Sequence, residues 1–142
     1  MEQQKKWADV DIEKLAVEVI GRNGKFHIMI AFMGIALMPA VVTDRNGRLI
    51  YMNKRAEVYW GRKTVDAIGQ NFAEEVMHLN LKDSLRMQRE SKMVLAGNEP
   101  RVFYESHDGV TDKPIRQSVL KFPFTDDDDD VLLGAFILPH EV

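Results

Sequence analysis

The sequence predicts an α+β fold built on an antiparallel sheet, and two patterns predict it. Segments of strand character fall into two groups, a pair between Val41 and Met52 and a trio between Arg101 and Leu138, with a run of short helices between the groups. Strands and helices segregated in this way argue for antiparallel pairing, because a doubly wound parallel sheet needs them to alternate. Turn residues also mark almost every boundary, as the hairpins of such a sheet require. A length of 142 residues suits one domain with a short extra arm.

The arm comes first. Ile12, Leu15, Ala16 and Val19 recur at the spacing of one helical face, with Asp9 or Asp11 as a cap and Gly21 as a stop. A second helix, about Lys25 to Leu37, carries Phe26, Met29, Ile30 and Met33 on one face and Ile28, Phe32 and Ile35 on another. A helix apolar on several sides must be covered on several sides, and a partner subunit can supply one cover. The apolar run Phe26 to Val42 has the shortest length that spans a bilayer, about 17 residues. It contains Pro39, which turns Met38 away from helix, so the run splits into a helix and a strand. No membrane contact is expected. Arg22-Asn23-Gly24-Lys25 and Arg45-Asn46-Gly47-Arg48 look alike, but the likeness fades beyond the turn.

From Val41 the punctuation is regular. Val41 to Thr43 and Leu49 to Met52 flank Asp44-Arg45-Asn46-Gly47, and Asn-Gly between apolar runs is a strong hairpin signal because both residues tolerate positive φ. Asn53 then caps a helix, Lys54 to Trp60, closed by Gly61; Thr64 caps another, Val65 to Ile68, closed by Gly69. Asn71 with Glu74 has capping-box spacing, and Asn80 opens a longer helix that stops near Gly97. Strands follow at Arg101 to Ser106, Ile115 to Phe122 and Val131 to Leu138, with turns at His107-Asp108-Gly109 and at the five aspartates Asp126 to Asp130.

Composition excludes several functions. With no cysteine, disulfide frameworks, thiolate metal sites and thiol nucleophiles are ruled out. The net charge of −3 is local: without the five consecutive aspartates, 19 basic residues would face 17 acidic ones. The bases are scattered, so nucleic acid is not an expected partner. The block itself lacks the alternation and the glycine of a calcium loop and reads as a solvated hairpin. His27, His78, His107 and His140 show no metal-ligand spacing, and neither a nucleophile elbow, a phosphate loop nor a His-Glu-x-x-His helix is present. Glu74 and Glu75 are adjacent and diverge. No catalysis is expected. The opening residues lack a secretory signal pattern, which points to the cytoplasm.

Met38 to Asn53 has an apolar strand ending in Asp44, a Gly47 turn and a second strand ending in Asn53. Glu57, Trp60-Gly61 and Ala67-Ile68-Gly69 follow, then Leu95-Ala96-Gly97, Lys121-Phe122-Pro123 and the Gly134 strand. In this order the residues resemble the PAS family. The resemblance implies a five-stranded antiparallel sheet with helices on one face over residues 39–142, and a pairing flank over residues 1–38. It further implies a sensory module of a histidine kinase or transcriptional regulator, passing a signal to an effector domain or partner protein. Many relatives end in Asp-Ile/Val-Thr, whereas this chain ends Pro139-His140-Glu141-Val142.

The resemblance also implies a cavity between the long helix and the sheet. Leu81, Ser84, Leu85, Gln88, Ser91, Val94 and Leu95 share one helical side, mixing apolar and polar groups. The expected small-molecule pocket is Tyr59, Phe72, Leu85, Gln88, Ser91, Phe103, Leu120, Phe122 and Phe136, and a one-residue slip would invert the strand choices. Leu15, Val19, Ile28, Phe32 and Ile35 are the expected homodimer contact. Cysteine-dependent flavin or chromophore chemistry is excluded, no cofactor is specified, and His78 is the one candidate axial ligand for a haem. A gas sensor built on haem and a ligand-free pairing domain are the alternatives to a ligand sensor.

Overall fold

One carboxylate shapes the turn that opens the sheet. Asp44 Oδ1 accepts hydrogen bonds from the amides of Asn46 (2.8 Å) and Arg48 (3.0 Å), while Gly47 takes a φ of +79°. That turn folds β1 (Ala40–Asp44) back on β2 (Leu49–Met52). The structure is a computed structural model that describes residues 29–108 and 114–139. Helix α1 (residues 29–35) precedes β1; α2 (Lys54–Trp60), α3 (Thr64–Ala67), a π-helical turn (Phe72–Val76) and α4 (Leu81–Gly97) follow β2. β3 (Arg101–Asp108), β4 (Pro114–Thr125) and β5 (Val131–Pro139) complete the chain.

The five strands pair antiparallel in the order β2-β1-β5-β4-β3, so the last strand is central and the first lies beside it. The α+β expectation holds, including the five antiparallel strands. Caps explain the helix starts. Asn53 Oδ1 accepts from Ala56 N, Asn71 Oδ1 from Glu74 N and Asn80 Oδ1 from Asp83 N. Gly61 closes α2 and Asn98 closes α4, both left-handed. Two expectations need correction. Thr64 does not cap α3, because it is the first residue of that helix and its hydroxyl donates to Met52 O. The segment after Asn71 winds as a single π turn instead of an α-helix.

Each face of the sheet has its own core. On the inner face Val41, Val119 and Ile137 pack with Met52, Ala56, Phe72, Val76 and Met77 beneath the helices. On the outer face Val42, Phe122 and Leu132 pack with Met33, and Met29, Ile30, Phe124 and Phe136 surround them. The flanking helix therefore covers the side that α2 to α4 leave open. Gly134 is essential there. It lies opposite Phe122, and a Cβ on it would sit 2.3 Å from Phe122 Cζ.

The acidic block forms the β4–β5 turn. Asp126 Oδ1 accepts from the amides of Asp128 and Asp130, each at 2.9 Å, and Asp129 takes a φ of +62°. That carboxylate is committed to its own backbone, as a hairpin tip requires. No group of three or more potential metal ligands clusters among the described residues. No helix of the described residues is long and apolar enough to cross a membrane. Of the expected flank, Leu15, Val19 and Ile28 lie outside the described residues, as do the first helix, His27 and His140.

Candidate functional site

A cavity of about 300 Å³ lies between the inner face of the sheet and α4, reaching the π turn and the β1–β2 turn. Apolar side chains dominate its wall: Val41, Val119, Leu133 and Ile137 from the strands, Phe72 and Met77 from the π-turn region, and Met87 from α4. Volume and lining match a small-molecule site, which is mostly apolar with a few placed polar groups.

Four buried polar groups from three elements, Glu90, Glu105, Gln117 and Lys121, form one cluster, while exposed Arg45, Asn46, Gln88 and Lys92 also line the cavity. Lys121 on β4 is only 2 % exposed, and its Nζ lies 3.4 Å from Glu90 Oε1 on α4 and 3.3 Å from Glu105 Oε2 on β3. The same Nζ sits 5.5 Å from the centroid of the Phe103 ring. Gln117 on β4 donates from Nε2 to Glu105 Oε1 at 3.0 Å. Strand register explains the grouping: Glu105 lies opposite Gln117, and Lys121 is two pleats further along the same face.

Two carboxyls beside one ammonium leave one negative charge too many for a buried site. Burial, and then a hydrogen bond with Glu105, push the Glu90 carboxyl up from its ordinary 4.5 to about 8, against the opposing pull of Lys121. At neutral pH Glu90 therefore holds a proton. The folded protein binds that proton more tightly than the unfolded chain, so this group's contribution to stability falls as the pH rises from about 4.5 through about 8. Glu90→Gln, which keeps a neutral hydrogen-bonding group, is expected to remove this loss. Between pH 6 and 9 the Tm of the variant should fall by about 5–10 °C less than that of the parent protein. Parallel pH profiles in differential scanning calorimetry would refute the assignment.

Of the nine residues expected to line the pocket, Phe72, Gln88 and Ser91 do so. Phe103 shares the inner face but lies beyond the cavity, beside Lys121. Leu120, Phe122 and Phe136 are corrected to the outer face, one pleat out of phase, where Phe122 and Phe136 stack with centroids 5.6 Å apart. Tyr59 is an exposed residue of α2, set edge-on to Trp60, and Leu85 points to solvent from α4. On that helix the buried stripe is Ser84, Glu90 and Val94, with Met87 packed on the core, whereas Leu81 is exposed. The sequence does not point to Glu105, Gln117 and Lys121. Their one trace is parity: they share the strand face of Phe103 and Val119 along paired strands.

His78 is exposed, has a φ of +56° and lies off the cavity wall. Among the described residues the wall contains no histidine. The residues present therefore do not fit a haem ligated by His78.

The sequence matches the family model described as the PAS fold over residues 37–142. The chain belongs to the PAS family. A PAS domain is a sensory signalling module, and this one shares its fold with solved relatives. The PAS domain of Bordetella pertussis BvgS has a TM-score of 0.68 at 16% identity, over 84% of this chain and 89% of that one. The Vibrio cholerae VqmA dimer, described as a LuxR-type receptor without its target DNA, gives 0.65 at 15% identity, over 81% of this chain and 51% of that one. The phage VqmA–DPO complex gives 0.66 at 17% identity, over 84% and 54%. No curated protein matches the sequence. Identities this low carry the fold alone.

Proposed function

We propose that this PAS domain is the ligand-sensing and pairing part of a cytoplasmic signal-transduction protein, of the histidine-kinase or transcriptional-regulator type, with no catalysis of its own. One observation carries the reading: the cavity between α4 and the sheet is mostly apolar and floored by buried polar groups, Glu105 from β3 and Gln117 and Lys121 from β4. A phage VqmA–DPO complex with the same fold supports a ligand, and a dimeric VqmA supports pairing. Residues 1–38 are the pairing flank and 39–142 the sensor, and a bound molecule biases two packings of α4 on the sheet. The flank carries the bias to an effector domain or partner.

Native mass spectrometry of gently purified protein, followed by thermal shift over a metabolite panel, tests this function. A retained small mass, or a compound that raises Tm, is expected by linkage. If neither is found and the protein is still dimeric, a ligand-free pairing domain replaces the sensor reading.

Phe32 and Ile35 on α1 are 67 % and 79 % exposed. Apolar side chains this large and this open on one short helix suit a second copy of the chain. The double variant Phe32→Glu, Ile35→Glu is expected to shift the protein from dimer to monomer in light scattering while leaving its circular dichroism unchanged. A variant that stays dimeric places the contact elsewhere.

A further inference from the structure

Gln117 lines the cavity and is 2 % exposed. Its hydrogen bond to Glu105 uses Nε2 and fixes which end of the amide is which, so Oε1 is an acceptor in known orientation. That oxygen is buried and has no hydrogen-bond donor among the described residues. A buried acceptor without a donor is costly, and because Gln117 is part of the cavity wall a small turn of its side chain brings this oxygen to whatever fills the cavity. Charge limits the choice. At the buried groups an anion would meet Glu105, and a cation would meet the Lys121 ammonium, which is already held between two carboxyls; Arg45 and Lys92 also line the cavity, but as exposed side chains whose charge is solvated. The raised Glu90 proton keeps this cluster close to neutral before anything binds. At about 30 Å³ per water the space equals about ten waters, which sets the scale of the guest.

We infer that the cavity takes a small uncharged molecule, apolar or aromatic in its body, whose N–H or O–H is given to Gln117 Oε1. This deepens the sensor reading and rests on it. Matched probes separate the two: benzamide against N,N-dimethylbenzamide, phenol against anisole, and benzoate as the anionic counterpart of benzamide. Each is titrated at millimolar concentration into the whole chain while backbone amide resonances of Ser91, Val119 and Lys121 are followed by NMR. Benzamide and phenol are expected to bind about five- to tenfold more tightly than their donor-free partners, the size of one net hydrogen bond. Benzoate should leave these resonances in place. In Gln117→Met, which keeps length and loses the carbonyl, the donor preference should collapse while weak apolar binding persists.

Equal binding of donor and donor-free probes, a preference that survives Gln117→Met, or benzoate binding as tightly as benzamide overturns the donor inference and leaves a ligand cavity standing. Failure of every probe to move these resonances removes the sensor reading and the inference together. Should Gln117→Met not fold, the probe pairs on the unaltered protein still decide.

Discussion

Asn53→Asp is expected to destabilise the protein by about 3–5 kcal/mol, the largest effect of any single polar change in the described fold. Asn53 is 1 % exposed, and every hydrogen-bonding group of its side chain is used. Its Oδ1 accepts from Ala40 N at 3.0 Å and Ala56 N at 2.9 Å; its Nδ2 donates to Met33 O at 2.8 Å and Met38 O at 3.0 Å. One amide therefore joins the end of α1, the start of β1 and the cap of α2. Aspartate keeps both acceptor bonds and turns a buried carboxylate oxygen on two carbonyls, so repulsion is added to two lost donors. Asn53→Ala loses all four bonds and should cost a comparable amount. Urea unfolding measures the change, and hydrogen exchange across α1 should show this segment loosening first. A variant with an unchanged midpoint, or with α1 protected as before, would contradict this role. If the flank transmits the signal, this side chain is its attachment.

Gly134→Ala comes next, at about 1–3 kcal/mol, the usual penalty for overpacking a filled site. The added methyl would meet three Phe122 ring atoms, at 2.3, 2.5 and 2.9 Å. The ring has little room to retreat, because Phe136 stacks on it and Phe124 lies 6.0 Å away. Its partner substitution supplies the check. Phe122→Leu opens space at the contact, so the double variant should be more stable than the sum of the two single losses by about 1 kcal/mol or more. Strict additivity in chemical denaturation would mean that the methyl finds its room elsewhere.

The outline of the fold was legible in the sequence because its signals are local. Asn53, Asn71 and Asn80 cap through their own side chains, and Asp44 with Gly47 makes its own turn, so short-range chemistry marks where elements start and stop. The cavity was less legible for a definite reason. Reading the inner face as the apolar one selects Leu120, Phe122 and Phe136, but that parity belongs to the surface under α1, which is also buried. The cavity face carries Glu105, Gln117 and Lys121, residue types that pattern reading assigns to solvent. Their mutual pairing across two strands and a helix is what permits burial, and such pairing depends on tertiary contacts that no single strand records. On α4, buried Glu90 likewise moves the inner stripe away from the side that Leu81 and Leu85 suggest.

Lys121 and Phe122 are consecutive residues on opposite sides of β4. The floor of the cavity and the seat of the flanking helix are thus two sides of one peptide unit. When a strand changes its twist, neighbouring residues turn as a unit, so a tilt that moves the lysine on one side must move the phenylalanine on the other. Information crossing this sheet needs no relay of intermediate side chains. Its path length is the thickness of a single strand.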